Sequence, residues 1–378
     1  MKKFCVWRLI VGLVVFCGIH GFSVWATSIT TTAPGGDPLT GYQATAPTPA
    51  FAHGDRIRGH VMFKQGFTIA SGATVTWDAD GIVNGPITFA GNSSTLSLAN
   101  DLRLGTTGGP IATVNAGKIS GNGRSIIMGN NATLTKQVVV TSDLIVDGQG
   151  KTITLQNTNF SINEGVTLTL KNLTLVNNDS TPTATIFQGV GHCVFENVLL
   201  RCVPYSGTVA KLFAMADIDR NITFRGRVAF DAPGVLIVLL STGAVGNYGV
   251  ATFTIDKNST FYIGQGTELR KGDTATVSFV MTDATSVFHF DGCDLYTGAT
   301  TGDTNIDYAT VGLTLTKGTV LFENKVRIFN KHYGGSTNTS MTDALNFGDG
   351  SSAANNVDVR VLGGAYVIVD GCMRYNAA

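Results

Sequence analysis

The chain has 378 residues, a formal net charge of zero, 14% charged residues and 46 glycines. The length exceeds that of an average domain, although one elongated repeat architecture could use all of it. The absence of a basic surplus excludes nucleic-acid binding driven by phosphate contacts, and the absence of an acidic surplus argues against disorder. Thr, Ser, Asn and Gly alternate with Val, Ile, Leu and Phe, which is the composition of strands and turns.

The N-terminus has the pattern of an export signal. Basic Lys2, Lys3 and Arg8 are followed by an apolar run from 9 to 17, and small residues precede a cleavage position after Ala26. The apolar stretch is shorter than the ~20 residues that span a membrane. Residues 1–26 are therefore predicted to be a signal peptide, and the mature chain is predicted to be secreted or in the cell envelope, without a transmembrane segment.

The segment after the predicted signal differs in composition from the rest. Residues 27–60 contain Pro34, Pro38, Pro47 and Pro49 among Gly and Thr, which favours a linker or an irregular N-terminal cap. The regular part is predicted to run from 61 to 372, and residues 373–378 are predicted to be a C-terminal tail.

A glycine-containing loop occurs twice. "GNGRSI" at 121–126 and "GQGKTI" at 148–153 share glycine, amide, glycine, a basic residue, a hydroxyl residue and Ile. A phosphate-binding loop is normally used once and opens a helix, whereas this element recurs between predicted strands. The glycines are therefore interpreted as turn residues with positive φ.

A second repeated feature predicts the fold. In "VTLTLKNLTLVNN" at 166–178 the alternation of apolar and polar residues stops at Lys171-Asn172 and restarts; a shift of phase without a bend would turn the later apolar residues to the wrong face. Similar breaks occur at 195–198, 224–228, 290–293, 322–326 and 369–372. Bends every ~20–35 residues are typical of a solenoid.

These bends predict an all-β parallel β-helix of about a dozen coils, each with about three short strands, stacked ~4.8 Å apart. A β-sandwich is the structural alternative, disfavoured because the bends recur in one register without hairpin turns of the Asn-Gly kind. "IVDGQGKTITL" and "LTLKNLTLVNN" resemble coils of the right-handed parallel β-helix, the pectate-lyase-like superfamily of polygalacturonases, polysaccharide lyases, phage tailspikes and bacterial adhesins. The resemblance is close over 119–200 and is a matter of pattern elsewhere; it implies a fold more firmly than a function.

The catalytic motifs of the polygalacturonases in that superfamily do not carry over. The chain has Gly191-His192-Cys193 and Arg327-Ile328-Phe329 where Gly-His-Gly and Arg-Ile-Lys are required, and it lacks the Asn-Thr-Asp element and the Asp pair. Hydrolysis requires two carboxylates, and the strongest pair available is Asp291 and Glu323, each in a bend after an inward Phe. Their carboxylates would lie about 5 Å apart if the bends stack. Asp370 recurs in a similar bend, which favours a turn role, so no catalytic site is predicted.

The sequence also predicts neither a metal nor a cofactor. Asp303, Asn305 and Asp307 space oxygen ligands as calcium loops do, but glycine is missing from the sixth position and Thr314 stands where a glutamate is required. These residues are interpreted as outward-pointing loop residues.

Four cysteines remain after the predicted signal: Cys193, Cys202, Cys293 and Cys372. Each shares the inward phase of its strand, and the last two are expected at the same position of coils about three apart, roughly 14 Å from each other. This distance is too long for a disulfide, so free buried thiols are predicted.

The aromatic residues divide into an inner and an outer set. The residues predicted to stack inside the helix are Phe195, Phe224, Phe290 and Phe322. Loop tyrosines are the only candidates for a sugar-binding platform: Tyr205, Tyr248, Tyr308 and Tyr333.

The sequence therefore favours an exported, non-enzymatic β-helix of the cell surface or envelope, with a structural or adhesive role and contacts made by loops. A polysaccharide or another surface protein is the expected partner, and nucleic acid is excluded. The alternative is a carbohydrate-active enzyme, a polysaccharide lyase or glycoside hydrolase, whose residues do not form a recognisable motif.

Overall fold

The computed structural model describes residues 28–31, 42–44, 50–105, 117–178, 185–203, 209–215, 220–242, 250–272, 276–297, 313–329, 343–370, 372–376 and 378. The predicted signal peptide lies outside this range. Within it, no helix is long and apolar enough to cross a membrane.

The described chain is a parallel β-helix that visits three sheets in turn. Every strand pairs in parallel with strands one coil before or after it. Strands of sheet 1 are β1 (Ser28–Thr31), β8 (Thr95–Leu98), β14 (Phe160–Ile162), β16 (Thr185–Gly189), β18 (Val209–Met215), β21 (Leu236–Thr242), β24 (Glu268–Gly272), β27 (Asp294–Tyr296), β30 (Lys325–Phe329) and β33 (Tyr366–Asp370). Strands of sheet 2 are β2 (Tyr42–Ala44), β9 (Leu102–Leu104), β19 (Arg220–Arg225), β22 (Val250–Ile255), β25 (Thr276–Met281), β28 (Leu313–Leu315), β31 (Asp343–Phe347) and β34 (Cys372–Tyr375).

Sheet 3 completes each coil. Its strands are β3 (Ala50–Phe51), β5 (Phe67–Ile69), β7 (Ile87–Phe89), β11 (Ala132–Leu134), β13 (Thr152–Leu155), β20 (Arg227–Phe230), β23 (Thr260–Ile263), β26 (Val287–Asp291), β29 (Thr319–Glu323) and β32 (Asp358–Val361). Longer strands bend around a corner. Those shared by sheets 1 and 2 are β4 (Arg56–Phe63), β6 (Thr74–Val83), β10 (Gly117–Met128) and β12 (Val138–Asp147); those shared by sheets 2 and 3 are β15 (Thr167–Asn177) and β17 (His192–Cys202).

The predicted bends are corners of this helix, but not all of them are the same corner. The bends at 170–173, 195–198 and 224–228 join sheet 2 to sheet 3. Those at 290–293 and 322–326 join sheet 3 to sheet 1, and that at 369–372 joins sheet 1 to sheet 2. The expectation that all of these bends occupy one register of the coil is therefore wrong. Any corner must shift the phase of the alternation, so the sequence marks a bend without showing which corner it is.

Asparagines stack at the corner between sheets 2 and 3. Asn172 and Asn197 adopt left-handed backbone conformations, with φ of 51° and 55°, which Asn tolerates better than most residues. Asn172 Nδ2 donates to Asp147 Oδ1 (3.2 Å), and Asn197 Nδ2 donates to Asn172 Oδ1 (3.1 Å). The Arg227 backbone N–H then donates to Asn197 Oδ1 (3.1 Å). The chain of hydrogen bonds fixes this corner across successive coils.

The repeated glycine loop is also a corner of the backbone. Positive φ occurs at Gln149 (50°) and Gly150 (77°), and at Asn122 and Gly123 in the earlier copy. Gly148 does not have positive φ; a Cβ there would lie 2.3 Å from Leu173 Cβ. The turn interpretation is confirmed, but close packing against the next coil, not backbone conformation, requires glycine at 148.

The core is a continuous stack of apolar side chains inside the three sheets. The four predicted inward phenylalanines are fully buried. Ring centroids lie 4.4 Å apart for Phe224 and Phe261, 5.0 Å for Phe261 and Phe288, and 5.4 Å for Phe290 and Phe322. Full burial of each such side chain contributes about 1.5–3 kcal/mol, so the stack stabilises the helix along its length.

The cysteines are free, as predicted. Cys193, Cys202 and Cys293 are buried, and burial raises the pKa of the Cys193 and Cys202 thiols to about 12. Cys372 is only partly buried, which corrects the expectation for that residue, because β34 is the last described strand of sheet 2 and only one coil covers it. Cys293 precedes β27 of sheet 1, whereas Cys372 begins β34 of sheet 2. The expectation that Cys293 and Cys372 occupy the same position of their coils is therefore also wrong.

The two predicted domain boundaries fall inside strands. β4 begins at Arg56, and both β1 and β2 pair with it, so described parts of 27–60 already belong to coils. At the other boundary β34 runs through 373–375 and pairs with β31. Parallel pairing therefore extends the helix beyond 61–372 on both sides.

Candidate functional site

A gap in a row of outward side chains opens a pocket over sheet 3. Thr174, Leu199, Ala229, Tyr262 and His289 pair successively from coil to coil on the outer face. Ala229 is outside the core cluster, and its methyl group leaves space between Leu199 and Tyr262. The pocket has a volume of about 740 Å³ and is also lined by Gly150, Asn172, Leu173, Asn197, Val198, Arg227, Asp231, Gln265 and Asp291.

Tyr262 organises one wall of this pocket. The Arg227 guanidinium carbon lies 4.7 Å from the centre of its ring, and the His289 ring meets it edge-on at 5.0 Å. The Tyr262 hydroxyl donates to Asp291 Oδ2 at 2.5 Å. Burial, followed by this hydrogen bond, raises the pKa of Tyr262, so the phenol stays protonated and acts as the donor.

The candidate pair Asp291 and Glu323 is in register but does not converge. Their backbones are partners on β26 and β29, as the stacking of their bends predicted. Asp291 is only 7% exposed, however, and its carboxylate accepts hydrogen bonds from Tyr262, Asn324 (2.7 Å) and Gln265 (3.3 Å). Asp291 therefore faces outward, as its place after inward Phe290 predicts, but donors from coils on both sides enclose its carboxylate.

Glu323 faces a different partner. Its side chain is 42% exposed, and Oε2 lies 3.1 Å from His289 Nε2, at an angle that does not make a hydrogen bond. Hydrolysis requires an acid and a base on the two sides of one bond. The buried carboxylate of Asp291 and the exposed one of Glu323 do not provide that arrangement.

A second pocket of about 600 Å³ lies around the corner, over sheet 1. Glu268, Asp294 and Arg327 are register partners on β24, β27 and β30. Arg327 Nε donates to Asp294 Oδ1 (2.6 Å) and Nη2 pairs with Oδ2, and this contact raises the pKa of Arg327. Burial, followed by repulsion from Asp294, raises the pKa of Glu268.

The two pockets meet at the corner between sheets 3 and 1. Gln265 lines both of them, and the second also includes Asn324, Lys325 and Tyr366. From Asn172 to Tyr366 the lining residues cross about six coil steps, roughly 29 Å at ~4.8 Å per coil. We refer to the two pockets together as the groove.

The sequence did not identify most of the residues of the groove. Tyr262 lies between inward Phe261 and Ile263, so the alternation alone could have placed it on the outer face. The four tyrosines that were proposed instead (205, 248, 308 and 333) lie outside the described residues. The contacts of Glu268 and Asp294 had no signal in the sequence, because their partners come from other coils.

The remaining candidates from the sequence are the calcium-loop residues and His192. Asp303, Asn305 and Asp307 lie outside the described residues. Within the described ranges, no group of three or more His, Cys, Asp and Glu side chains could hold a metal ion. His192 Nδ1 accepts a hydrogen bond from the Asn221 backbone N–H at 3.2 Å, a contact that ties neighbouring coils together.

Comparison with known proteins identifies no relative of this chain. No protein-family model, curated protein or solved structure matches the chain. The structure therefore establishes the architecture through its own strand pairing, and the resemblance of the sequence to the pectate-lyase-like superfamily remains a resemblance. The chain is a parallel β-helix with a polar groove along its side.

Proposed function

We propose that this chain is an exported, non-enzymatic parallel β-helix of the cell surface or envelope that adheres to a polysaccharide through the groove. The groove lies on strands and corners of a rigid stack, which favours a fixed contact surface over a mobile one. Its lining combines amides, carboxylates, two guanidinium groups, a lysine and two tyrosines, a set that can form hydrogen bonds with hydroxyl-rich ligands.

The observation that carries this proposal is the state of the two buried carboxylates. Asp291 accepts hydrogen bonds from three side chains, and both oxygens of Asp294 are held by Arg327. A general acid or nucleophile must offer a free oxygen to the substrate. These carboxylates are committed to internal contacts, so they favour binding without cleavage.

One observation favours a glycoside hydrolase as a second candidate. Glu268 and Asp294 are register partners, and the pKa of Glu268 is raised while Asp294 is paired with Arg327. A carboxyl group with a raised pKa next to a carboxyl group that is paired with a guanidinium resembles the division of roles between an acid and a nucleophile. Asp294 is only 7% exposed and held in a two-point contact, which places this candidate second.

The test combines a binding and a cleavage assay on the purified protein. Polysaccharide panels are screened by affinity electrophoresis, and the same mixtures are assayed for new reducing ends and for unsaturated products. We expect retention of at least one polysaccharide and no product above a heat-denatured control. Sequencing of the exported protein should find Thr27 as its first residue.

Two pairs of variants identify an enzyme if one exists. Product formation that is abolished by Asp291→Asn or Glu323→Gln would assign catalysis to the first pair, and loss with Glu268→Gln or Asp294→Asn would assign it to the second. Either result contradicts the non-enzymatic proposal. The matched control is Asp80→Asn, an exposed carboxylate on β6 outside the groove, which should leave any turnover unchanged.

A further inference from the structure

We infer that the groove selects an uncharged polysaccharide, which crosses successive coils of sheet 3 with one sugar ring in the gap over Ala229. This inference rests on the proposed function and specifies the ligand class of the same site.

One of the three cations that line the groove is committed to an ion pair. Arg327 is paired with Asp294 in a two-point contact. Lys325 Nζ lies 5.9 Å from the centre of the Tyr366 ring, and the Arg227 guanidinium lies over Tyr262. Among the described residues, neither Arg227 nor Lys325 has an ion-pair partner, so these two cations remain available to a ligand.

The anions of the groove give it no surplus of charge. Asp231, Asp291, Asp294 and Glu268 line it, but Asp231 is paired with Arg201 and Asp294 with Arg327, which leaves Asp291 and Glu268 beside Arg227 and Lys325. The pKa of Glu268 is raised by burial and by Asp294, which shows that this part of the groove already disfavours negative charge. An acidic polysaccharide would place repeated carboxylates beside these groups, whereas neutral hydroxyls can donate to them.

The gap over Ala229 has the character that a sugar ring requires. Leu199 and Tyr262 bound it on the two neighbouring coils, and Ala229 forms its floor. Arg227 and Asp231, on either side of Ala229 in the chain, add polar groups at its edges. An apolar floor with polar edges matches a ring that has apolar faces and hydroxyls at its rim.

The length of the groove favours a chain over a single sugar. Side-chain amides line it at Asn172 and Asn197, on the corner between sheets 2 and 3, and at Gln265 and Asn324, on the corner between sheets 3 and 1. The lining continues for roughly 29 Å across six coil steps. A linear ligand that crosses sheet 3 obliquely can meet amide donors and acceptors at both corners.

The test fills the gap and compares neutral with acidic probes. Ala229→Leu adds bulk in the gap, and Ala229→Gln does so with a polar side chain. The matched control is Thr152→Leu, which adds bulk in the same outward row, one coil before Thr174 and outside the groove. Neutral probes are laminarin, hydroxyethylcellulose and galactomannan; acidic probes are polygalacturonate and alginate. Circular dichroism and the urea midpoint verify that each variant is folded.

We expect at least one neutral probe to bind, about tenfold more tightly than either acidic probe, and both Ala229 variants to weaken it by about tenfold. Thr152→Leu should leave the affinity unchanged. Tighter binding of an acidic probe would overturn the charge inference while preserving adhesion. Neutral binding that folded Ala229 variants retain would overturn the location, and failure of all five probes to bind would count against polysaccharide adhesion itself.

Discussion

The asparagine stack at the corner between sheets 2 and 3 allows two stabilising effects to be separated by mutation. Asn197 has a left-handed backbone, donates to Asn172 Oδ1 and accepts from the Arg227 N–H. Asn197→Gly removes both side-chain hydrogen bonds but permits the positive φ of 55°. Asn197→Ala removes the same hydrogen bonds and also places a Cβ in a conformation that disfavours it.

The expected magnitudes follow from these contacts. Each hydrogen bond contributes about 0.5–1.5 kcal/mol, and the exposed location favours the lower end. Asn197→Gly should therefore reduce the free energy of unfolding by about 1–2 kcal/mol, including the added entropy of glycine in the unfolded chain. Asn197→Ala should lose about 1 kcal/mol more, because alanine in the left-handed region is strained.

Urea denaturation measures both variants, with the midpoint compared at equal slope. Hydrogen exchange of the Arg227 amide provides a local readout, since this N–H loses its acceptor in both variants. Asn163→Ala is the matched control, because Asn163 is exposed and does not have positive φ; we expect it to change stability by less than about 0.5 kcal/mol. If Ala were no more harmful than Gly, the conformational argument would be refuted, and a neutral Gly variant would refute the role of the hydrogen bonds.

Three further predictions concern the fold and the groove. Four thiols should titrate in the denatured mature protein, from residue 27 onward, whereas in the native mature protein at pH 8 Cys372 should react first because burial protects the other three; a missing thiol would indicate a disulfide. Gly148→Ala should destabilise the protein by about 1–3 kcal/mol through its clash with Leu173, and Lys151→Ala should be neutral; equal urea midpoints would contradict this. The pKa of Glu268 is raised in the folded protein, so its contribution is favourable below the unfolded pKa and is lost as pH rises through the folded value. Glu268→Gln should therefore have a urea midpoint similar to wild type at pH 4 and a higher one at pH 7; the opposite order would show that the carboxylate is stabilised as an anion.

The internal packing could be read largely from the sequence. Phe195, Phe224, Phe290 and Phe322 follow the period-2 alternation, and all four are buried where they were expected. Alternation and its interruption are local properties of the chain, so they identify inward positions and bends without knowledge of the partners. Burial of one unbroken apolar stack then leaves the parallel β-helix as the arrangement that satisfies every strand.

Only the tertiary structure shows which residues meet in the groove, because the number of residues per coil varies. The donors to Asp291 come from Tyr262, 29 residues earlier, Gln265, 26 residues earlier, and Asn324, 33 residues later. Asp291 and Glu323 could be aligned because each follows an inward Phe, but unequal steps give no rule for aligning outward residues across several coils. The sequence determined which side chains point into the helix, whereas the stacking of coils determined which outward side chains meet, since only inward positions are constrained by a common core.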